Sequence, residues 1–91
     1  MPTAEREVVI RNQLGLHVRP SAQLASTAMR FQSDVWFLLD GQRVNAKSSL
    51  ELLTMAAVCG TVMRVQAQGS DAEAAVAAIA ELIDSKFGEE R

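Results

Sequence analysis

The chain has 91 residues, 48% of them hydrophobic and 22% charged, enough for one domain with a modest core. Nine Lys and Arg against eleven Asp and Glu leave a net charge of −2, which excludes the basic face of a nucleic-acid binder and a polybasic membrane anchor. One cysteine and one histidine exclude an intramolecular disulfide and the usual His/Cys zinc site, and with no apolar leader or membrane-length run the expectation is a cytoplasmic protein.

The stretch EREVVIRN is β-branched and loosely alternating, so a strand is predicted over Glu5–Asn12. Gly15 breaks it. From Val18 onward, Pro20, Leu24, Ala28 and Phe31 recur at helical spacing, which predicts a helix ending near Phe31. Proline is tolerated only in a helix's first turn, so Pro20 fixes the start close to His17. Val35–Leu39, the turn pair Asp40-Gly41 and Arg43–Asn45 read as a hairpin. Ser48 and Glu51 have capping-box spacing, and Leu50, Leu53 and Ala57 follow a helical period that Gly60 ends. Val62, Met63 and Val65 mark a further strand, stopped at Gly69. Ser70 and Glu73 make a second capping box, and Val76, Ile79, Ala80 and Ile83 form the inward face of a last helix running to about Lys86. The order β-α-β-β-α-β-α is that of an α+β fold, an antiparallel sheet with its helices on one face.

The only histidine lies where the first helix begins. Unpaired N–H groups and the macrodipole make such an end an anion site. They disfavour imidazolium, so a neutral, nucleophilic His17 ring is expected near neutral pH. A phosphoryl group on that ring would meet ready-made donors. Arg19 adds a planar fork suited to phosphate oxygens, and Gly15 leaves the approach open and permits a positive φ. Nothing nearby looks like a metal site or a hydrolytic base. A histidine near a helix start is by itself only a cap or a surface residue. The conjunction Gly-x-His-x-Arg-Pro is what points to chemistry.

At these residues the chain resembles HPr, the histidine-containing phosphocarrier of the bacterial phosphotransferase system. NQLGLHVRPSAQL is similar to that family's phosphorylation motif, GQRVNAKSSLELLTMAA to its second-helix region, and GSDAEAAVAAIAELIDSKFGEE to its last helix. The resemblance spans roughly 5–90 as one domain, with an open-faced β-sandwich as the implied fold. It implies that His17 is phosphorylated on a ring nitrogen, the pros position being expected. The donor would be enzyme I, charged by phosphoenolpyruvate, and the acceptors enzyme IIA domains of a sugar-transport chain. Arg19 would steady the group in transit. The chain would be a monomeric carrier without a cofactor, its catalysis shared with partners. Val18, Ala22, Ser49, Leu50 and Leu53 fall on the family's partner-facing patch.

The chain departs from the family pattern in places. Val18 stands where alanine is commonest, and Ser49 replaces a larger apolar residue. Leu50 and Leu53 read as core residues by spacing and as exposed anchors by resemblance. Ser48 aligns with the serine that an HPr kinase/phosphorylase modifies in part of the family. A phosphate there would suit the helix end and Lys47, whereas Glu51 would repel it and supports a plain N-cap. Cys59 reads as a small buried or half-buried filler and Trp36 as sheet packing. Two other functions fit the same residues: a regulatory phosphotransferase branch without sugar transport, and a domain binding an anionic metabolite noncovalently at the helix end.

Overall fold

The computed structural model describes residues 1–89. The chain runs β1 (Thr3–Val9), α1 (Val18–Met29), β2 (Asp34–Leu39), β3 (Gln42–Asn45), α2 (Ser49–Thr54), β4 (Val62–Gln68) and α3 (Ala72–Asp84), followed by a 3-10 turn at Lys86–Gly88. The strands form one antiparallel sheet in the order β1-β4-β2-β3. Side chains alternate across a strand. Met63, Val65 and Ala67 of β4 and Val35 and Phe37 of β2 therefore share one buried face. The helices cover that face, and Ile10, Leu24, Leu52, Ile79 and Ile83 complete the core between the layers. On the open face Trp36 donates to Gln66 Oε1 at 2.7 Å, and the Arg43 guanidinium lies 4.6 Å from its ring. The expected α+β architecture, with helices on one side of an antiparallel sheet, is the one observed.

The hairpin forms as its turn chemistry requires. Asp40 and Gly41 both take positive φ, 51° and 79°, between the paired residues Leu39 and Gln42. Asp and Gly tolerate that backbone better than most residues.

Several boundaries differ from the sequence expectation. The first strand starts at Thr3 and ends at Val9, because the chain beyond it turns instead of extending to Asn12. Helix α1 ends at Met29, short of Phe31. Helix α2 has only six residues and ends at Thr54, well before Gly60. Its inward residue is Leu52, while Leu50 faces solvent. The Ser48 capping box is half made: Ser48 Oγ accepts from the Glu51 amide at 3.2 Å, but the Glu51 carboxylate reaches the Asn45 amide instead. The Ser70–Glu73 box does not form. Asp71 is the N-cap residue of α3, and its carboxylate points back to accept from the Gln32 and Ser33 amides, both at 2.9 Å, and from the Ser33 hydroxyl. Those bonds, the hydroxyl's foremost, hold its titration below the usual carboxylate range. Helix α3 stops at Asp84, and Lys86 and Phe87 take φ of 58° in the turn after it. Burial of the Phe87 ring offsets that strained backbone.

Candidate functional site

The segment leading into α1 is tied down by the segment between α2 and β4. Ile10 N donates to Thr61 O at 2.9 Å, Gly60 N to Ile10 O at 2.7 Å, and Leu16 N to Ala57 O at 2.9 Å. Gly15 sits inside this clasp with φ of +69°. A Cβ at Gly15 would lie 2.5 Å from Ala57 O and 3.0 Å from Val58 Cα. Close backbone approach is therefore what Gly15 supplies, more than the open path to His17 expected from sequence. Its carbonyl then accepts from the His17 amide at 3.0 Å. The chain enters the helix with His17 as N-cap residue, φ −85° and ψ −167°. Ser21 N closes the first turn on His17 O at 3.1 Å. Pro20 is buried in that turn and brings no N–H, and the Val18 and Arg19 amides have no intrahelical acceptor. The helix start is thus where Pro20 predicts it.

The structure adds a carboxylate that sequence reading missed. Glu89 Oε2 lies 2.8 Å from His17 Nε2. Its other oxygen accepts from Asn12 Nδ2 at 3.0 Å, and the same nitrogen donates to Gly15 O at 2.8 Å. The Glu89 side chain is 14% exposed and that of His17 is 37% exposed. The Asn12 amide, and after it the His17 ring, hold the Glu89 carboxyl below the usual range, against the effect of its partial burial. This corrects the picture of a ring perched over helix amides alone with no acidic group beside it. Asn12 and Glu89 were invisible as partners because 77 residues separate them.

Arg19 lies in the same first turn of α1 and is exposed. Its Nε donates to Gln23 at 3.3 Å when that amide is oriented to donate to Phe87 O at 3.2 Å, a link from α1 to the terminal turn. Val18 is 70% exposed and Ala22 and Ser49 are also exposed, as is Leu50 at 74%. Leu53 is half-buried, so neither helical spacing nor the exposed-anchor reading describes both leucines. Ser48 is a half-buried N-cap, and the adjacent Lys47 amine donates to Phe31 O at 3.0 Å. Cys59 is exposed, not the buried filler expected, because the chain at that point is an external turn. No helix among the described residues is long and apolar enough to cross a membrane.

The arrangement offers one nucleophilic ring, hydrogen-bonded on one nitrogen, at a helix start with a guanidinium nearby. It suits transient attachment of a phosphoryl group. Comparison with known proteins agrees. A family model described as the PTS HPr component phosphorylation site matches residues 4–85. Phosphocarrier protein HPr of Xylella fastidiosa (strain 9a5c) is 41% identical over 86 residues, covering 94% of this chain and 97% of that protein. Phosphocarrier protein NPr of Shewanella violacea is 37% identical over 89 residues, 98% of each. The crystal structure of HPr-C-His from Thermoanaerobacter tengcongensis superposes with a TM-score of 0.93 at 41% identity, covering 97% of this chain and 99% of that one. With the fold and the helix-start histidine in agreement, the chain belongs to the HPr family, the phosphocarriers of the phosphotransferase system.

Proposed function

We propose that this chain relays a phosphoryl group from phospho-enzyme I, charged by phosphoenolpyruvate, through His17 to enzyme IIA domains. The observation that carries the reading is the His17 ring itself. It is partly exposed at the start of α1 with Nε2 engaged, so Nδ1 is the nitrogen left to form the pros-phosphohistidine. In the step, the Nδ1 electron pair forms a bond to phosphorus, and the bond to the donor atom breaks with its pair returning to the donor. The amides of Val18 and Arg19 and the Arg19 guanidinium supply donors for the oxygens. Val18, Ala22, Ser49, Leu50 and the half-buried Leu53 supply the surface on which partners dock.

Incubation with enzyme I and phosphoenolpyruvate is expected to add one phosphoryl group in an acid-labile, base-stable linkage. His17→Ala should abolish the labelling, and a mutant that labels normally would end the assignment. Arg19→Ala should slow transfer more than it destabilises the fold. Phosphate bound without a mass adduct would favour the noncovalent anion-binding domain instead. Profiling which enzyme IIA accepts the group separates sugar transport from a regulatory branch, a distinction raised by the similarity to an NPr.

A phosphate on Ser48 is the second part of this proposal. The half-buried hydroxyl caps α2, where helix amides favour an added phosphate and Glu51 opposes it. Treatment with ATP and an HPr kinase/phosphorylase should add a phosphoryl group that Ser48→Ala cannot take. Absence of any adduct would remove Ser48 from the scheme.

A further inference from the structure

The geometry points to Glu89 as a positioning residue: its carboxylate, held by Asn12, takes a hydrogen bond from His17 Nε2 and so keeps the ring in the tautomer whose free electron pair is on Nδ1. The inference rests on the relay reading for its purpose, but not for its test.

An ionised carboxylate has no proton to give, so the bond at 2.8 Å requires that Nε2 carry the hydrogen. The carboxylate is itself held in place. Asn12 is fully buried, and its Nδ2 faces two acceptors, Gly15 O and Glu89 Oε1. Turning the amide over would set its oxygen against both, so these neighbours fix its orientation. Its Oδ1 is buried with no hydrogen-bond partner among the described residues. An unpaired buried carbonyl is costly, on the order of 1–3 kcal/mol. Asn12 is thus kept for its two donors, and one of them is committed to Glu89. The terminal turn delivers Glu89 to the ring. Its buried Phe87 anchors it to the core, and the left-handed backbone at Lys86 and Phe87 bends the chain back toward the start of α1.

The charge balance explains what such a partner does during transfer. A neutral ring with hydrogen on Nε2 attacks through Nδ1. The Nδ1–P bond forms, the donor–P bond breaks with its pair going to the donor, and the ring, still holding its Nε2 hydrogen, acquires one positive charge. The Glu89 carboxylate pairs that charge. When the phosphoryl group moves on, the Nδ1–P bond breaks, its pair returns to Nδ1 and the ring is neutral again. No proton enters or leaves in either direction. Without the carboxylate, the phosphorylated ring would lose its Nε2 proton to water more readily and leave phosphorus as a poorer leaving group.

The test uses the full chain with 15N-labelled histidine. In the unphosphorylated wild type at neutral pH, the ring nitrogen shifts should report hydrogen on Nε2, with that proton slow to exchange. Glu89→Gln has a single accepting oxygen for two donors, Asn12 Nδ2 and His17 Nε2; with Asn12 keeping that oxygen, the amide NH2 faces the ring and should bring in the form with hydrogen on Nδ1. Glu89→Ala should bring in a second form with hydrogen on Nδ1 and speed exchange of the Nε2 proton about tenfold, the effect of losing a charge-assisted hydrogen bond. Both variants should pass the phosphoryl group onward about tenfold more slowly, since both lack the paired charge. Hydrogen on Nδ1 in the wild type, or ring spectra unchanged in Glu89→Ala, would overturn the assignment. The ring spectra need no phosphoryl donor, so a chain that never labels would sink the relay reading while leaving the role of Glu89 decided by the spectra.

Discussion

Replacing Leu52 and Leu50 separately by alanine divides the core of α2 from its working surface. Leu52 is fully buried and Leu50 is 74% exposed, two residues apart on one six-residue helix. Leu→Ala in a core removes apolar burial and leaves a cavity, together about 3 kcal/mol. At about 2.1 cal/mol/K per residue, a chain of 91 residues unfolds with an entropy of about 0.19 kcal/mol/K. Leu52→Ala should therefore lower Tm by about 16 °C. Leu50→Ala leaves the core intact and should change stability by less than about 0.5 kcal/mol, or about 3 °C in Tm. Its effect belongs to docking, where loss of an apolar anchor of about 1 kcal/mol slows labelling about fivefold at low carrier concentration. Thermal melts followed by circular dichroism, with initial rates of labelling by phospho-enzyme I, give both numbers for each variant. A Leu50→Ala chain that melts as low as Leu52→Ala, or a Leu52→Ala chain within about 3 °C of wild type, would refute the assignment of the two faces.

Gly15→Ala should be destabilising by about 2–4 kcal/mol, because it combines an unfavourable φ with a clash against the Ala57 carbonyl at 2.5 Å; an unchanged urea midpoint would contradict this. Asp71 titrates below its unfolded value in the folded state, so it stabilises above the unfolded pKa, and that contribution is lost as pH falls through the folded one. Asp71→Asn should accordingly be less stable than wild type near neutral pH, with the gap closing on acidification below about 4; a gap constant with pH would count against the bonds to Ser33 and Gln32. Cys59 should react with a thiol reagent in the native state at the rate of an exposed cysteine, with no change in Tm; protection until unfolding would show that it is buried after all.

What could be read from the residues follows their range in sequence. The Asp40-Gly41 hairpin and the helix start set by Pro20 depend on neighbours a few positions apart, and both formed as expected. The fold class followed from element order in the same way. Helix α2 did not yield because six residues make fewer than two turns, too short for a period to choose between Leu50, Leu52 and Leu53. The second capping box failed because Asp71, one residue on from Ser70, had a use that no local rule contains: binding the α1–β2 connection through Gln32 and Ser33. Cys59 was misjudged because composition alone says nothing about an external turn. At the site, His17 and Arg19 were legible from the motif, and Asn12 and Glu89 were not. Their meeting is made by the whole fold and by a strained turn at Lys86 and Phe87, for which the sequence offers only an unremarkable Lys-Phe-Gly.

The hydrogen bond between His17 and Glu89 closes a loop of 72 residues. Contacts of such long separation are entropically the most demanding to form and belong late in folding. The ring's partner lies past α3, so it reaches His17 only when α3 and the turn after it are docked. The finished arrangement around the ring is thereby a mark of complete assembly, and a chain arrested on the way presents its imidazole without the acidic neighbour.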